Sequence, residues 1–221
     1  MPLLTVIGAG PGLGLEIARV FGHAGFTVAL LSRHQEKLDG LAALLADEGI
    51  QAKGFAADIA RPETLTAALQ AVKDEQGPID VLEFSPADVS LAPASVLEVT
   101  PENLQPQIDF YLGGALRAAG AVLPDMIARG SGTILVTTGG GSITPNAAYA
   151  NIGIAAAGLR NWTLNLHDAL QPQGVYVAHI AISALINAGH PDAAADVIAK
   201  SYLDLYVKRD RAELHYVAHT A

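Results

Sequence analysis

An apolar run followed by a glycine-rich turn, LLTVIGAGPGLG, occupies residues 3–14. Leu3–Ile7 is short, mostly apolar and ends at a glycine, which predicts a buried β-strand. From Gly12 to His23 the apolar residues Ile17, Val20 and Phe21 recur at helical spacing, so a helix is predicted to follow the turn. The chain therefore begins with the strand, turn and helix of a βαβ unit.

The alternation of apolar strands and amphipathic helices continues to the end of the chain. Further strands are predicted at Phe26–Leu31, Ile50–Ala57, Ile79–Phe84, Thr133–Thr138, Val175–Ile182 and Glu213–Val217. Further helices are predicted at Gln35–Asp47, Pro62–Asp74, Pro101 to about Arg129, Ala147–Leu170 and near Pro191–Tyr206. Such alternation is typical of parallel βαβ units, and continuously apolar strands indicate helices on both sheet faces. We expect one α/β domain over residues 1–221, a Rossmann-type doubly wound parallel sheet.

Composition excludes several classes of function. The 221 residues carry 13 Lys and Arg against 22 Asp and Glu, a net charge of −9, which argues against a nucleic-acid partner. The absence of cysteine excludes disulfides, thiolate nucleophiles and cysteine zinc sites. The seven histidines form no His-Glu-x-x-His motif, so no metal site is expected. Without a long apolar run or a basic N-terminal leader, we expect a cytoplasmic protein with no membrane partner.

The segment Gly8-Ala9-Gly10-Pro11-Gly12-Leu13-Gly14 has the chemistry of an anion site. Amides that open a helix are unpaired and lie at the positive end of its dipole, so they bind phosphate groups. Glycines allow the backbone to turn sharply and to approach a pyrophosphate closely. An ordinary tight turn is the simpler alternative, but the position between the first strand and the first helix favours nucleotide binding.

The spacing Gly8-x-x-x-Gly12-x-Gly14 resembles the cofactor loop of the short-chain dehydrogenases/reductases, although Ile7 stands where that family has threonine. The resemblance extends along most of the chain. Asp58-Ile59 resembles the pair that holds the adenine, Gly132–Val136 the fifth strand, and Tyr149 the catalytic tyrosine. It implies an oxidoreductase with a nicotinamide cofactor that acts on a small molecule and forms a homodimer or homotetramer.

The end of the second strand, Leu31-Ser32-Arg33-His34, indicates which nicotinamide cofactor is preferred. An NAD site places a carboxylate there for the ribose hydroxyls, whereas an arginine suits the 2′-phosphate of NADP. No acidic residue occurs before Glu36, and Arg33 matches the family's NADP-selecting arginine. We expect NADP(H), with Ser32 and Arg33 binding the phosphate. A solvated arginine that caps the loop is the alternative.

The catalytic segment departs from the family pattern. The family has a lysine four residues after its tyrosine, but four residues after Tyr149 stands Gly153. The serine position falls on Gly139, with Thr138 beside it and Ser142 three residues beyond. Without the lysine, Tyr149 is expected to stay protonated at neutral pH, which favours carbonyl reduction over alcohol oxidation. The alternative is that Tyr149 is only an aromatic residue at a helix start.

Three further segments also differ from the family. The helix asparagine falls near Tyr111, and the turn after the fourth strand reads Phe84-Ser85-Pro86-Ala87, with Ser85 as a candidate cofactor contact. The substrate lobe is reduced to seven residues, 184–190, which predicts a nicotinamide pocket that is open or closed by a partner subunit. Two functions follow: an atypical NADPH-dependent carbonyl reductase, or a nucleotide-binding sensor or assembly subunit that has lost catalysis.

Overall fold

The structure, a computed structural model, describes residues 1–188 and 190–218. Its strands are β1 (Leu3–Ile7), β2 (Thr27–Ser32), β3 (Ala52–Ala56), β4 (Val81–Phe84), β5 (Gly132–Gly139), β6 (Val175–Ser183) and β7 (Glu213–Val217). Its α-helices are α1 (Leu13–His23), α2 (Gln35–Asp47), α3 (Pro62–Gln76), α4 (Pro101–Ile108), α5 (Gly114–Arg129), α6 (Ala150–Leu170) and α7 (Ala195–Lys208).

The seven strands form one sheet in the order β3-β2-β1-β4-β5-β6-β7, and every neighbouring pair is parallel. The chain moves outward from β1 to β3, then returns to β4 on the other side of β1 and continues to β7. This is the doubly wound arrangement expected from the sequence. The reversal of strand order leaves a crevice between the carboxyl ends of β1 and β4.

Helices cover both faces of the sheet, which explains why the central strands are mostly apolar. Leu15, Phe21 and Leu38, from α1 and α2, pack on one face together with Tyr202 of α7. Residues of α3, α5 and α6, such as Leu65, Val122 and Leu159, pack on the other. The central strands are thus buried between two apolar layers, while the edge strands β3 and β7 are partly exposed.

Several element bounds differ from the predicted ones. The strand predicted from Ile50 begins at Ala52, because the Ile50 amide donates to Leu45 O and so belongs to the turn that ends α2. The long helix predicted from Pro101 is interrupted by a π-helical turn, Asp109–Gly113, between α4 and α5. No helix in the described part of the chain is long and apolar enough to cross a membrane.

Candidate functional site

Two adjoining cavities occupy the crevice between β1 and β4. The first, about 240 Å³, extends towards β2 and β3. The second, about 560 Å³, extends towards β5 and β6. Both are lined by Gly8, Gly10 and Pro86, so the two cavities adjoin at the carboxyl edge of the sheet, and together they are called the cleft. Open α/β sheets bind their ligands at this place.

The glycines of residues 8–14 divide into two groups. Gly8 has a φ of +103°, and a Cβ there would lie 2.6 Å from Pro86 Cα, so the fold itself requires glycine. A Cβ on Gly14 would lie 3.0 Å from Ala9 Cα. At Gly10 the nearest atom to an added Cβ is 4.0 Å away, and at Gly12 nothing lies within 4 Å. Gly10 and Gly12 therefore leave open space in which a ligand can approach the backbone.

The start of α1 supplies amide donors to the second cavity. Its N-cap residue is Gly12, and no side chain caps the helix. Leu13 and Gly14, the first residues of the helix, line the cavity. Uncapped amides at a helix start attract negative charge. All five loop residues predicted to bind the cofactor, Gly8, Gly10, Gly12, Leu13 and Gly14, thus border the cleft.

The basic end of the first cavity is formed where β2 ends. Ser32, Arg33 and His34 line this cavity, and Lys37, in the first turn of α2, lies there too. Arg33 donates to Asp88 Oδ2 over 2.9 Å, and hydrogen bonds from Ser90 hold the pKa of Asp88 below its ordinary value. The sequence analysis did not identify Lys37 as part of this end of the cavity. Its position four residues after Arg33 is the feature that could have indicated it.

Asp58 and Ile59 border the same cavity from the end of β3. The Asp58 carboxylate accepts the Ala60 amide at 3.0 Å and lies 3.3 Å from Arg61 Nε. Ile59 is buried. The cavity therefore has an apolar wall and a carboxylate on one side, and cations on the other.

The second cavity is lined by hydroxyl-bearing side chains from three elements. Ser85 follows β4, Tyr111 lies in the π-helical turn, and Thr137 and Thr138 end β5. Burial raises the pKa of Tyr111, with a smaller contribution from Asp88. π-Helical turns often occur at functional sites, and this one brings a phenol to the cleft.

Two of the residues predicted to be catalytic are in direct contact. Thr138 Oγ1 lies 2.8 Å from Ser142 Oγ, and both side chains are buried. Thr138 borders the second cavity, whereas Ser142 belongs to the short 3-10 turn Gly140–Ser142 behind it. Thr138 is therefore the hydroxyl of this pair that adjoins the cleft.

Tyr149 lies in a third cavity, which meets the second at Gly139. Its side chain is 52% exposed. Gly153 lines the third cavity as well, and a Cβ there would lie 3.6 Å from Gly141 O, an ordinary contact distance. The structure thus brings Thr138 and Ser142 together and leaves Tyr149 on the other side of Gly139.

Backbone contacts fix the position of the segment that carries Tyr149. The Val96 amide donates to Ala147 O at 2.8 Å, and the Ala150 amide donates to Ala94 O at 2.9 Å. Asn151 is buried and accepts the Ala94 amide at 2.8 Å. These bonds join the loop after β4 to the start of α6.

Behind Thr138 runs a buried polar chain that sequence reasoning missed. Thr138 Oγ1 lies 2.8 Å from His179 Nε2, and His179 Nδ1 lies 2.9 Å from Glu213 Oε1. Arg160 binds Glu213 through two nitrogens, at 2.6 and 2.8 Å. The sequence feature that could have revealed it is His179, a histidine within the largely apolar strand Val175–Ser183.

A buried acid, Glu83, adjoins the cleft from the other face of the sheet. Glu83 of β4 accepts hydrogen bonds from Ser85 at 2.9 Å and from Thr137 at 3.1 Å, and Thr137 lies 2.7 Å from Tyr202 Oη. Burial raises the pKa of Glu83 to about 8. Glu83 is therefore mainly protonated at neutral pH, behind two hydroxyls that line the second cavity.

The segment 184–190 forms part of the cleft wall. Ala184, Ile186 and Asn187 line the second cavity, and the described residues of this segment, all except Gly189, form turns rather than a helix. Asn187 Oδ1 accepts the Ala195 amide at 2.8 Å, which joins this segment to the start of α7. Within residues 1–188 and 190–218, no group of three or more metal-ligating side chains is found.

Comparison with known proteins places this cleft in context. Residues 3–188 match the family model described as short chain dehydrogenase. A very-long-chain 3-oxoacyl-CoA reductase of Neurospora crassa is 30% identical over 82% of this chain and 55% of its own length. Sulfoacetaldehyde reductase 2 of Chromohalobacter salexigens is 28% identical over 99% of this chain and 88% of its own. The chain spans about half the length of the fungal reductases that it matches.

Solved structures show the same fold. A metagenomic short-chain oxidoreductase in complex with NADP has a TM-score of 0.86 at 24% identity, covering 99% of this chain and 98% of its own. An NADPH-bound short chain oxidoreductase of Pseudomonas aeruginosa, described as containing an atypical catalytic centre, has a TM-score of 0.88 at 18% identity, covering 100% and 96%. At these identities the likeness establishes the fold.

Proposed function

The chain belongs to the short-chain dehydrogenase family, and from this we propose that it binds NADP(H) and reduces the carbonyl group of a small molecule. The observation that carries the proposal is the cleft between β1 and β4, with open glycine backbone at its centre and Arg33 at one end. Relatives described as reductases, and solved structures of the same fold that hold NADP or NADPH, support it.

The residues present fit a dinucleotide that carries an additional phosphate. The amides of Leu13 and Gly14 would bind the pyrophosphate, and the space beside Gly10 and Gly12 admits it. Ser32 and Arg33 would bind the 2′-phosphate, because a guanidinium forms strong charge-assisted hydrogen bonds to phosphate. Asp58 and Ile59 would hold the adenine, and Ser85 would contact the half of the cofactor in the second cavity.

At the far end of the cleft the protein's own side chains would bind and protonate the substrate. When bound, the cofactor would supply the hydride needed to reduce the carbonyl group. Thr138, with Ser142 behind it, would hydrogen-bond the carbonyl oxygen as negative charge develops there. Tyr149, which stands beyond Gly139, would donate a proton to that oxygen. Because Gly153 stands at the family's lysine position, no ammonium group is supplied there, and we propose that the protein favours reduction over oxidation.

We also propose self-association through α5 and α6. Leu116 and Ile127 on α5 and Ile154 on α6 are apolar and more than a third exposed. Such side chains become buried when helices of two subunits pack together, as expected for a homodimer or homotetramer. Light scattering after size-exclusion chromatography measures the mass directly, and a monomer at micromolar concentration would contradict this proposal.

The proposed activity is tested by titrating the protein with NADPH and following NADPH consumption in the presence of ketones, aldehydes and quinones. We expect saturable binding and turnover of at least one carbonyl class. Binding without turnover, together with no effect of Tyr149→Phe, would instead support a nucleotide sensor or assembly subunit. The glycines at positions 139 and 153 are the observation that favours this second function.

A further inference from the structure

A line of hydrogen bonds connects the cleft to two partly exposed side chains of α6 and β7. It runs from Thr138 at the second cavity through His179 and Glu213 to Arg160. His179 is fully buried, whereas the side chains of Glu213 and Arg160 are 26% and 33% exposed. The line therefore starts at the proposed substrate position and ends where water reaches the protein.

The partners of His179 determine which of its nitrogens carries the proton. Hydrogen bonds from Arg160 and His179 lower the pKa of Glu213, so this carboxylate is ionised and can only accept. His179 Nδ1 must then carry a proton, because it faces Glu213. Burial lowers the pKa of His179, so the ring is mainly neutral at pH 7 and Nε2 accepts. Thr138 Oγ1, which also lies 2.8 Å from Ser142 Oγ and 3.2 Å from Gly139 O, therefore donates its proton to Nε2.

Protonation of His179 would reverse the Thr138 hydrogen bond. An imidazolium carries protons on both nitrogens, so Nε2 would donate to Thr138 Oγ1, and the Thr138 proton would then be free to point into the cleft. Glu213 stabilises that imidazolium, as a carboxylate does in a hydroxyl–histidine–carboxylate triad. The charged and titratable groups that face His179 are Glu213, Arg160 and His215, and of these only Glu213 favours its charged form.

We propose that His179, positioned by Glu213 and Arg160, acts through the Thr138 hydroxyl as a proton relay for the reaction at the cleft. The inference rests on the proposed carbonyl reductase function and gives this site a second proton source besides Tyr149. The resemblance to the family implies a role at most for Thr138, because His179, Glu213 and Arg160 lie outside the family's catalytic motif.

The relay moves one proton for each carbonyl reduced. When hydride has been added to the carbonyl carbon, the resulting alkoxide oxygen takes the Thr138 Oγ1 proton. Thr138 Oγ1 in turn takes the proton from Nε2 of the His179 imidazolium. The imidazole is left neutral, with its remaining proton on Nδ1 and hydrogen-bonded to the Glu213 carboxylate, and water in the emptied cleft returns a proton to Nε2 by the reverse path.

The first test needs no turnover. Nitrogen NMR of histidine-labelled protein should show the His179 proton on Nδ1 at neutral pH and an accepting Nε2. Thr138→Val should shift the Nε2 resonance, while Thr138→Ser should leave it close to that of the wild type. A proton on Nε2 at neutral pH, or a resonance that does not respond to Thr138→Val, would overturn the relay.

The second test removes the other proton donor. In Tyr149→Phe protein the remaining carbonyl reduction should decline as the pH rises past the His179 titration. Adding His179→Gln should lower kcat by about a hundredfold, the range of a lost general acid, and abolish that pH dependence. KM and NADPH affinity should not change. The matched control is His167→Gln. In the described part of the chain, the one hydrogen bond found for the His167 side chain is to the backbone oxygen of Val177, at 2.5 Å.

The outcomes separate the relay from the proposed function. If the wild type reduces a carbonyl and His179→Gln has the same rate and the same pH profile, the relay is overturned and the proposed function stands. No turnover of any carbonyl by the wild type would overturn both. If His179→Gln does not fold, the comparison of Thr138→Val with Thr138→Ser tests the relay instead. The relay requires that the pH-dependent part of the rate is lost in Thr138→Val and retained in Thr138→Ser.

Discussion

Arg33 Nη1 lies 2.9 Å from Asp88 Oδ2, so the cation at the end of β2 is paired with a carboxylate from the loop after β4. The Arg33 side chain is nevertheless 47% exposed. A 2′-phosphate carries more negative charge than a carboxylate and offers three oxygens, so it can compete for the guanidinium or share it. The adjacent Lys37 adds a second positive charge to the same cavity.

Arg33→Ala should weaken NADPH binding by about tenfold to a hundredfold and leave NADH binding almost unchanged, because only NADPH carries the 2′-phosphate. Fluorescence titration of both nucleotides measures this. Arg211→Ala is the matched control, since Arg211 is an arginine of similar exposure that is paired with Asp210 and lines a different cavity. An equal loss for NADPH and NADH would show that Arg33 does not select the phosphate.

Substitutions in the glycine loop should separate folding from binding. Gly8→Ala places a methyl group 2.6 Å from Pro86 Cα at a positive φ and should cost about 3 kcal/mol or more of unfolding free energy. Gly10→Ala meets no close atom, so its stability should change by about 1 kcal/mol or less, while NADPH affinity falls by about tenfold. Denaturant unfolding and nucleotide titration measure the two effects. Unchanged NADPH affinity in Gly10→Ala would place the pyrophosphate elsewhere.

Gly153→Lys should increase turnover, because it returns an ammonium group to the position four residues after Tyr149. The added Cβ is accommodated at 3.6 Å from Gly141 O. We expect a rate increase of about tenfold for alcohol oxidation with NADP, the direction that requires an ionised tyrosine. Gly153→Ala is the control for added volume without charge. If both variants behave alike, Tyr149 is not the acid that the lysine would assist.

Glu83 should make the protein less stable as the pH rises. The pKa of Glu83 is raised by burial from 4.5 to about 8 in the folded chain, so between these values the unfolded chain has lost a proton that the folded chain keeps. The free energy of unfolding should therefore fall by about 1 kcal/mol for each pH unit across this window, and not below or above it. Urea unfolding of the wild type and of Glu83→Gln at several pH values measures the difference.

Glu83→Gln should lack this dependence and be the more stable protein near pH 8. Glu63→Gln, a substitution of a carboxylate in the first turn of α3, is the control and should follow the wild-type profile. Parallel pH profiles for the wild type and Glu83→Gln would show that Glu83 is ionised in the folded chain.

The fold could be predicted because its signals are local. β1, α2 and β7 begin and end where the sequence pattern places them. The start of β3 was predicted wrongly because Ile50, although apolar, completes the turn after α2. The π-helical turn at Asp109–Gly113 was not foreseen, since hydrophobic spacing does not distinguish it from an α-helix.

The positions of the glycine loop and of Arg33 at the cleft could be predicted from sequence because each follows directly from one strand end. The polar chain behind Thr138 could not, because it depends on register between distant strands. His179 of β6 stands opposite Glu213 of β7 and Val136 of β5, and this pairing aligns imidazole and carboxylate on the face covered by α6. Residues 34 positions apart in sequence meet only through that register.

The most direct test of the account is the binding of NADPH, compared with NADH, to the purified protein by fluorescence titration. The cleft between β1 and β4 predicts saturable NADPH binding at micromolar concentration, about tenfold or more tighter than NADH. Failure to bind either NADPH or NADP at about millimolar concentration would contradict it, because amides and a guanidinium placed as these are should hold a dinucleotide phosphate well below that level.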